Sequence, residues 1–117
     1  MRIKVKPLSV NEVWQGKRFK TGKYKDYETE VMYLLPKLKI PEGKLEVKIT
    51  YGLSSRNSDI DNPTKPFLDI LQKAYRFNDK NIYQLLLRKE DVKKGKEYVD
   101  FDIRSYPHVA VLSACIV

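Results

Sequence analysis

The chain has 117 residues, room for one domain (1–117) with a modest core and too few to enclose a deep site alone. Lys and Arg outnumber Asp and Glu by 23 to 15, a formal net charge of +8, which points to a polyanionic partner. A single cysteine, Cys115, excludes an intrachain disulfide, the one histidine, His108, makes a zinc site a poor fit, and no signal-peptide core opens the chain, so a cytoplasmic setting is expected.

In chain order, Arg2 to Lys6 alternates, with Ile3 and Val5 on one face, and predicts a short strand that Pro7 ends. Pro7-Leu8-Ser9-Val10-Asn11 reads as an ordered turn. The stretch from Gly16 to Lys25 is the most basic, a flexible loop holding Lys17, Arg18, Lys20, Lys23 and Lys25 with Phe19 and Tyr24 interleaved. Tyr24, Tyr27, Val31, Leu34 and Leu35 then recur at helical spacing until Pro36. Lys44 to Tyr51 alternates as a strand, with Leu45, Val47, Ile49 and Tyr51 inward and Gly52 as its end.

After the polar stretch around Arg56 comes Asp59-Ile60-Asp61-Asn62-Pro63-Thr64-Lys65-Pro66. Asn62 suits an N-cap and Pro63 a first helical position, with Phe67, Leu68, Leu71, Ala74 and Tyr75 as the apolar face. Pro66 lacks an amide donor, so the regular helix is expected to begin there. Ile82 to Lys89 predicts a buried strand, and Glu97 to Arg104 its hairpin partner, with Val99, Phe101 and Ile103 inward. The tail from Pro107 is apolar, but its uncharged run is far short of the ~20 residues of a membrane helix.

Asp59 and Asp61 are the most informative residues. In an extended segment alternate side chains share a face, so both carboxylates point one way. Like charges that close repel unless a cation lies between them. Mg2+ suits, because it takes oxygen ligands and keeps waters; Mn2+ is the alternative ion. Asp79 follows the helix that the pair introduces, and a return of the chain would bring it back to the pair. Lys65, in the first helical turn, stands ready to stabilise developing negative charge. Acids that hold a metal within a basic surface suit phosphodiester cleavage. The basic loop and Arg56 would contact phosphates, with aromatic stacking beside them.

Asp-x-Asp by itself is a common surface turn and helix cap. A second pair, Asp100 and Asp102, serves as a control: it falls on the polar side of an alternating strand and reads as solvent face. Asp69 reads as a helix surface residue, His108 as incidental and Cys115 as a buried, unreactive thiol. No Gly-rich phosphate loop is present, which disfavours nucleotide hydrolysis.

At these residues the chain resembles the RusA-type Holliday junction resolvases, a crossover junction endodeoxyribonuclease family of phages and prophages. Asp59-Ile60-Asp61-Asn62-Pro63-Thr64-Lys65 is similar to its D-x-D-N-x-x-K signature, and Leu68-Asp69-Ile70-Leu71 resembles the helix that follows. Asn78-Asp79-Lys80-Asn81-Ile82 resembles its D-D-x-Q-[IV] element, and Pro7-Leu8-Ser9-Val10-Asn11 its P-P-S-x-N. Asn78 replaces an acid, Asn81 a glutamine and Leu8 a proline. The resemblance implies an α+β fold, a small mixed sheet packed against two helices, and a homodimer. It implies divalent-metal nicking of two strands symmetrically across a four-way junction. Asp59, Asp61 and Asp79 match the acidic site and Lys65 the essential lysine. A twofold dimer also matches a junction that offers two symmetry-related phosphodiesters. The competing reading is a non-catalytic basic DNA- or RNA-binding protein of the same fold; a structural protein of a ribonucleoprotein particle is a third.

Overall fold

The computed structural model describes residues 1–15 and 19–106; Lys17, Arg18 and the tail with His108 and Cys115 lie outside them. The backbone forms β1 (Arg2–Ile3), a 3-10 turn (Val10–Glu12), β2 (Trp14–Gln15), β3 (Phe19–Lys20) and α1 (Gly22–Leu34), followed by β4 (Leu45–Leu53), α2 (Thr64–Tyr75), a second 3-10 turn (Asp79–Asn81), β5 (Ile82–Asp91) and β6 (Tyr98–Ser105). The α+β expectation holds: one mixed sheet in the order β1-β6-β4-β5, with β2 and β3 pairing as a separate ribbon.

The predicted β5–β6 hairpin does not form. β4 lies between the two strands, parallel to β5 and antiparallel to β6. The reason lies in burial. Leu45, Val47, Ile49 and Tyr51 are all sealed from solvent, so β4 takes the centre of the sheet. β5, expected to be buried, is the edge strand, and it exposes Tyr83, Leu85 and Leu86. Gly52 does not end β4. The ring of Tyr98 lies against it so closely that a Cβ there would sit 2.3 Å from two ring carbons.

Both helices pack on one side of the sheet. Tyr24, Tyr27 and Val31 of α1 and Phe67, Ile70 and Leu71 of α2 join Val47, Ile49, Tyr51, Val99 and Phe101 in one core. Phe67 and Phe101 meet edge to face at 5.7 Å. α1 begins earlier than its apolar spacing suggests, because Thr21 caps it: its Oγ1 accepts the Tyr24 amide proton at 3.1 Å. Lys23 and Lys25 are therefore helical residues. α2 begins at Thr64, not Pro66. Pro66 thus falls in the first turn, where the first four amides have no intrahelical acceptor and its missing donor costs nothing. Pro63, not Asn62, occupies the cap position.

Candidate functional site

The loop from β4 to α2 carries Asp59 and Asp61. It bends at Ile60 and Asp61 and does not run extended as its alternation suggested. Successive carbonyls of this loop are pinned. The buried Tyr51 hydroxyl donates to Thr64 Oγ1 at 2.9 Å, and Thr64 in turn donates to the Ile60 carbonyl at 3.2 Å. The Thr64 amide donates to the Asp61 carbonyl at 3.1 Å, and the Val10 amide to that of Asn62 at 2.8 Å. Lys89 reaches across from β5 to donate to the carbonyls of Arg56 at 3.1 Å and Ser58 at 2.8 Å. Ion-binding side chains on a loop are held in place only if its backbone is, and this loop meets that condition.

Sequence reasoning missed Thr64, Tyr51 and Lys89 in this role. Thr64 lay within the motif itself. Lys89, an exposed cation at the end of an apolar strand, was a weak signal. The bond from Val10 also explains the N-terminal motif: Pro7 and Ser9 line a cavity of about 180 Å³ together with Leu53, Ser58, Asp59, Asn62 and Pro63.

Asp59 and Asp61 are exposed, and among the described residues neither carboxylate has an ion pair or a hydrogen bond. The control pair differs. Asp100 receives the Met1 ammonium at 3.2 Å and Arg2 at 3.5 Å, and Asp102 receives Arg104 at 2.5 Å. One Asp-x-Asp is internally neutralised and the other is not. Mg2+ commonly binds through one or two carboxylates, with waters and substrate phosphate completing its shell, so Asp59 and Asp61 fit it without a third protein ligand.

Asp79 does not join them within the chain. It opens the 3-10 turn before β5, whose first residue pairs with Leu45, whereas Asp59 follows the other end of β4 beyond Leu53. β4 is nine residues long, so the two ends are separated by roughly 26 Å. Among the described residues no three His, Cys, Asp or Glu side chains gather where they could hold a metal ion. The chain does not return after α2; it runs on into β5 at the far end. There the Asp79 amide donates to Gln72 Oε1 at 3.0 Å, a positioning contact that sequence spacing did not suggest. The neighbouring Asn78 and Asn81 line a shallow cavity of about 510 Å³ with Glu42 and Arg76.

Lys65 is exposed on the first turn of α2 and pairs with Asp69 at 3.1 Å. An exposed pair of this kind is worth about 0.2–1 kcal/mol, so a phosphate can draw the lysine away. Of the basic loop, Lys20 stacks over the rings of Tyr24 at 4.4 Å and Trp14 at 5.5 Å. Lys23 pairs with Glu12 at 3.5 Å. Lys25 and Arg56 are exposed, and their side chains have no partner among the described residues.

A pinned Asp-x-Asp loop on a basic α+β chain is thus in place, and comparison with known families decides what it belongs to. The family model for the endodeoxyribonuclease RusA matches residues 5–100. The chain belongs to the RusA endodeoxyribonuclease family. The match takes in the Pro7–Asn11 motif, the Asp59–Lys65 loop and Asp79, so the segments that the fold brings to the ends of β4 all fall within the RusA domain. Among curated proteins the chain has no match. No helix among the described residues is long and apolar enough to cross a membrane.

Proposed function

We propose that this RusA-family chain resolves four-way (Holliday) DNA junctions as a divalent-metal-dependent endonuclease, with paired symmetric nicks made by a homodimer. One observation carries the reading. In a chain of net charge +8, Asp59 and Asp61 stand exposed and unpartnered among the described residues, on a backbone fixed by successive hydrogen bonds.

Asp59 and Asp61 would hold Mg2+, or Mn2+ in its place. The bound ion would supply positive charge to the phosphoryl oxygens and make water easier to deprotonate. Lys65, released from Asp69, stabilises negative charge as it builds on the phosphate. Lys17, Arg18, Lys20, Lys23, Lys25 and Arg56 contact the sugar-phosphate backbone and set the register of the strand. Asp79 completes the acidic site from a second copy of the chain: a helix and the length of β4 part it from the pair in its own protomer. A twofold dimer offers two such sites to two related phosphodiesters.

Asp61→Asn tests this reading. The variant is expected to lose nicking of a synthetic four-way junction in Mg2+ and to keep its affinity for that junction in EDTA, because the basic surface is intact. Nicking at the normal rate would overturn it.

The distance of Asp79 from the pair favours a second reading, a non-catalytic DNA- or RNA-binding protein of the same fold. On that reading the wild-type chain binds the junction and leaves it uncut whichever divalent ion is supplied.

A further inference from the structure

The described residues include a pre-shaped cationic surface that the site above does not use. The turn between β5 and β6 carries Lys93, Lys94 and Lys96, all exposed, and none has an ion pair among the described residues. Its backbone is fixed. The Lys96 amide donates to the Lys93 carbonyl at 2.9 Å, and Gly95 takes a φ of +91°, which suits glycine and strains other residues. Glu97 locks the turn from both sides, accepting the Gly95 amide at 2.8 Å and the Ser54 hydroxyl at 2.7 Å. The Val92 amide donates to the Leu53 carbonyl at 2.9 Å.

These contacts place the turn at the same end of the sheet as the Asp59 loop. Leu53, which holds Val92, also lines the cavity beside Asp59. Lys4 and Lys6, exposed and outside any ion pair among the described residues, lead directly into Pro7 and Ser9 of that cavity, and Lys6 lies near enough to Glu97 to favour its charged form. Lys4 and Lys96 border a further cavity of about 170 Å³. The nearby acids are Glu97, already engaged, and Glu90 and Asp91 at the end of β5, so lysine is in excess.

We propose that Lys93, Lys94 and Lys96, with Lys4 and Lys6, form a second DNA-contacting surface that guides a phosphodiester backbone toward the Asp59–Asp61 loop. This deepens the nuclease reading and rests on it. A turn already ordered loses little entropy when it binds, and its lysines meet phosphate as point charges without reading sequence.

The test is the triple variant Lys93→Gln, Lys94→Gln, Lys96→Gln of the full chain. Affinity for a synthetic four-way junction is measured by fluorescence anisotropy in EDTA, from about 50 to about 200 mM salt. Loss of these contacts makes the slope of log K against log salt shallower by up to about 2.7, or about 0.9 for each phosphate contact. Affinity at the low-salt end falls at least about tenfold. The double variant Lys37→Gln, Lys39→Gln, of exposed lysines in the segment before β4, keeps the wild-type slope. The thermal transition of the triple variant stays in place, since the lost side chains are exposed and make no hydrogen bond or ion pair among the described residues. An unchanged slope, or an equal change in the Lys37–Lys39 variant, overturns the proposal. Because binding is read without metal, these outcomes stand apart from whether the wild-type chain nicks in Mg2+, which tests the nuclease reading alone.

Discussion

Two carboxylates that share one Mg2+ must each come within about 2.1 Å of it, and so within about 4 Å of one another. Asp61 and Asp79 lie at opposite ends of α2, which has 12 residues and spans about 18 Å. No rotamer closes that gap, and a hinge that did would have to strip α2 from the core formed by Phe67, Ile70 and Leu71. If all three acids serve one ion, two protomers contribute. Complementation measures this. On that reading Asp61→Asn and Asp79→Asn are each expected to be inactive alone. Mixed in equal amounts with subunit exchange, half of the dimers are heterodimers, and in each of these one of the two sites is whole. Junction nicking is then restored to about a quarter of the wild-type rate, with single nicks in place of paired ones. Because neither variant is expected to nick alone, even a few per cent of the wild-type rate in the mixture is decisive on a labelled junction resolved by denaturing gel. A mixture as inactive as its components refutes the two-protomer site. An active Asp79→Asn homodimer refutes any need for Asp79.

Two further outcomes follow from the packing. Arg76 ends α2 with φ 56° and ψ 51°, a left-handed conformation that strains any side chain with a Cβ, so Arg76→Gly is expected to raise stability by about 1 kcal/mol in urea unfolding; an unchanged midpoint would refute the strain. Burial works against the charge of Glu28, but hydrogen bonds from Lys73 and Tyr24, at 2.8 and 3.0 Å, outweigh it and hold the carboxyl below its usual range. A pKa lowered by folding contributes stability above the unfolded value and loses it as pH falls through the folded one. Glu28→Gln is therefore expected to cost about 1 kcal/mol at neutral pH, a cost that starts to shrink near the unfolded Glu value of about 4.3 and vanishes only once pH has passed below the lowered folded value, read from urea midpoints across that range.

Local chemistry made much of the chain legible. The alternation of β4 put Leu45, Val47, Ile49 and Tyr51 inward, and all four are buried. The spacing of Tyr24, Tyr27 and Val31 named the buried face of α1. Reading Asp100 and Asp102 as solvent face also holds, since their partners are the N-terminus, Arg2 and Arg104. Strand pairing was not legible. β5 and β6 carry apolar residues and a glycine turn between them, as a hairpin would, yet each pairs with β4. Nothing local to 82–105 records that a better-buried strand, some forty positions earlier, takes the place between them.

The site divides in the same way. By itself the sequence determined which side chains are available: a charge-rich loop with two alternate acids, a lysine one helical turn on, and a family signature around them. It could do so because motif and periodicity are properties of neighbouring residues. Only the tertiary structure decided that Tyr51, Thr64, Val10 and Lys89 pin the Asp59 loop, and that the Lys93–Lys96 turn lies at its end of the sheet. It alone put Asp79 at the other end of β4. Such positions follow from which strand lies beside which, and strand order is set by the burial of the whole chain.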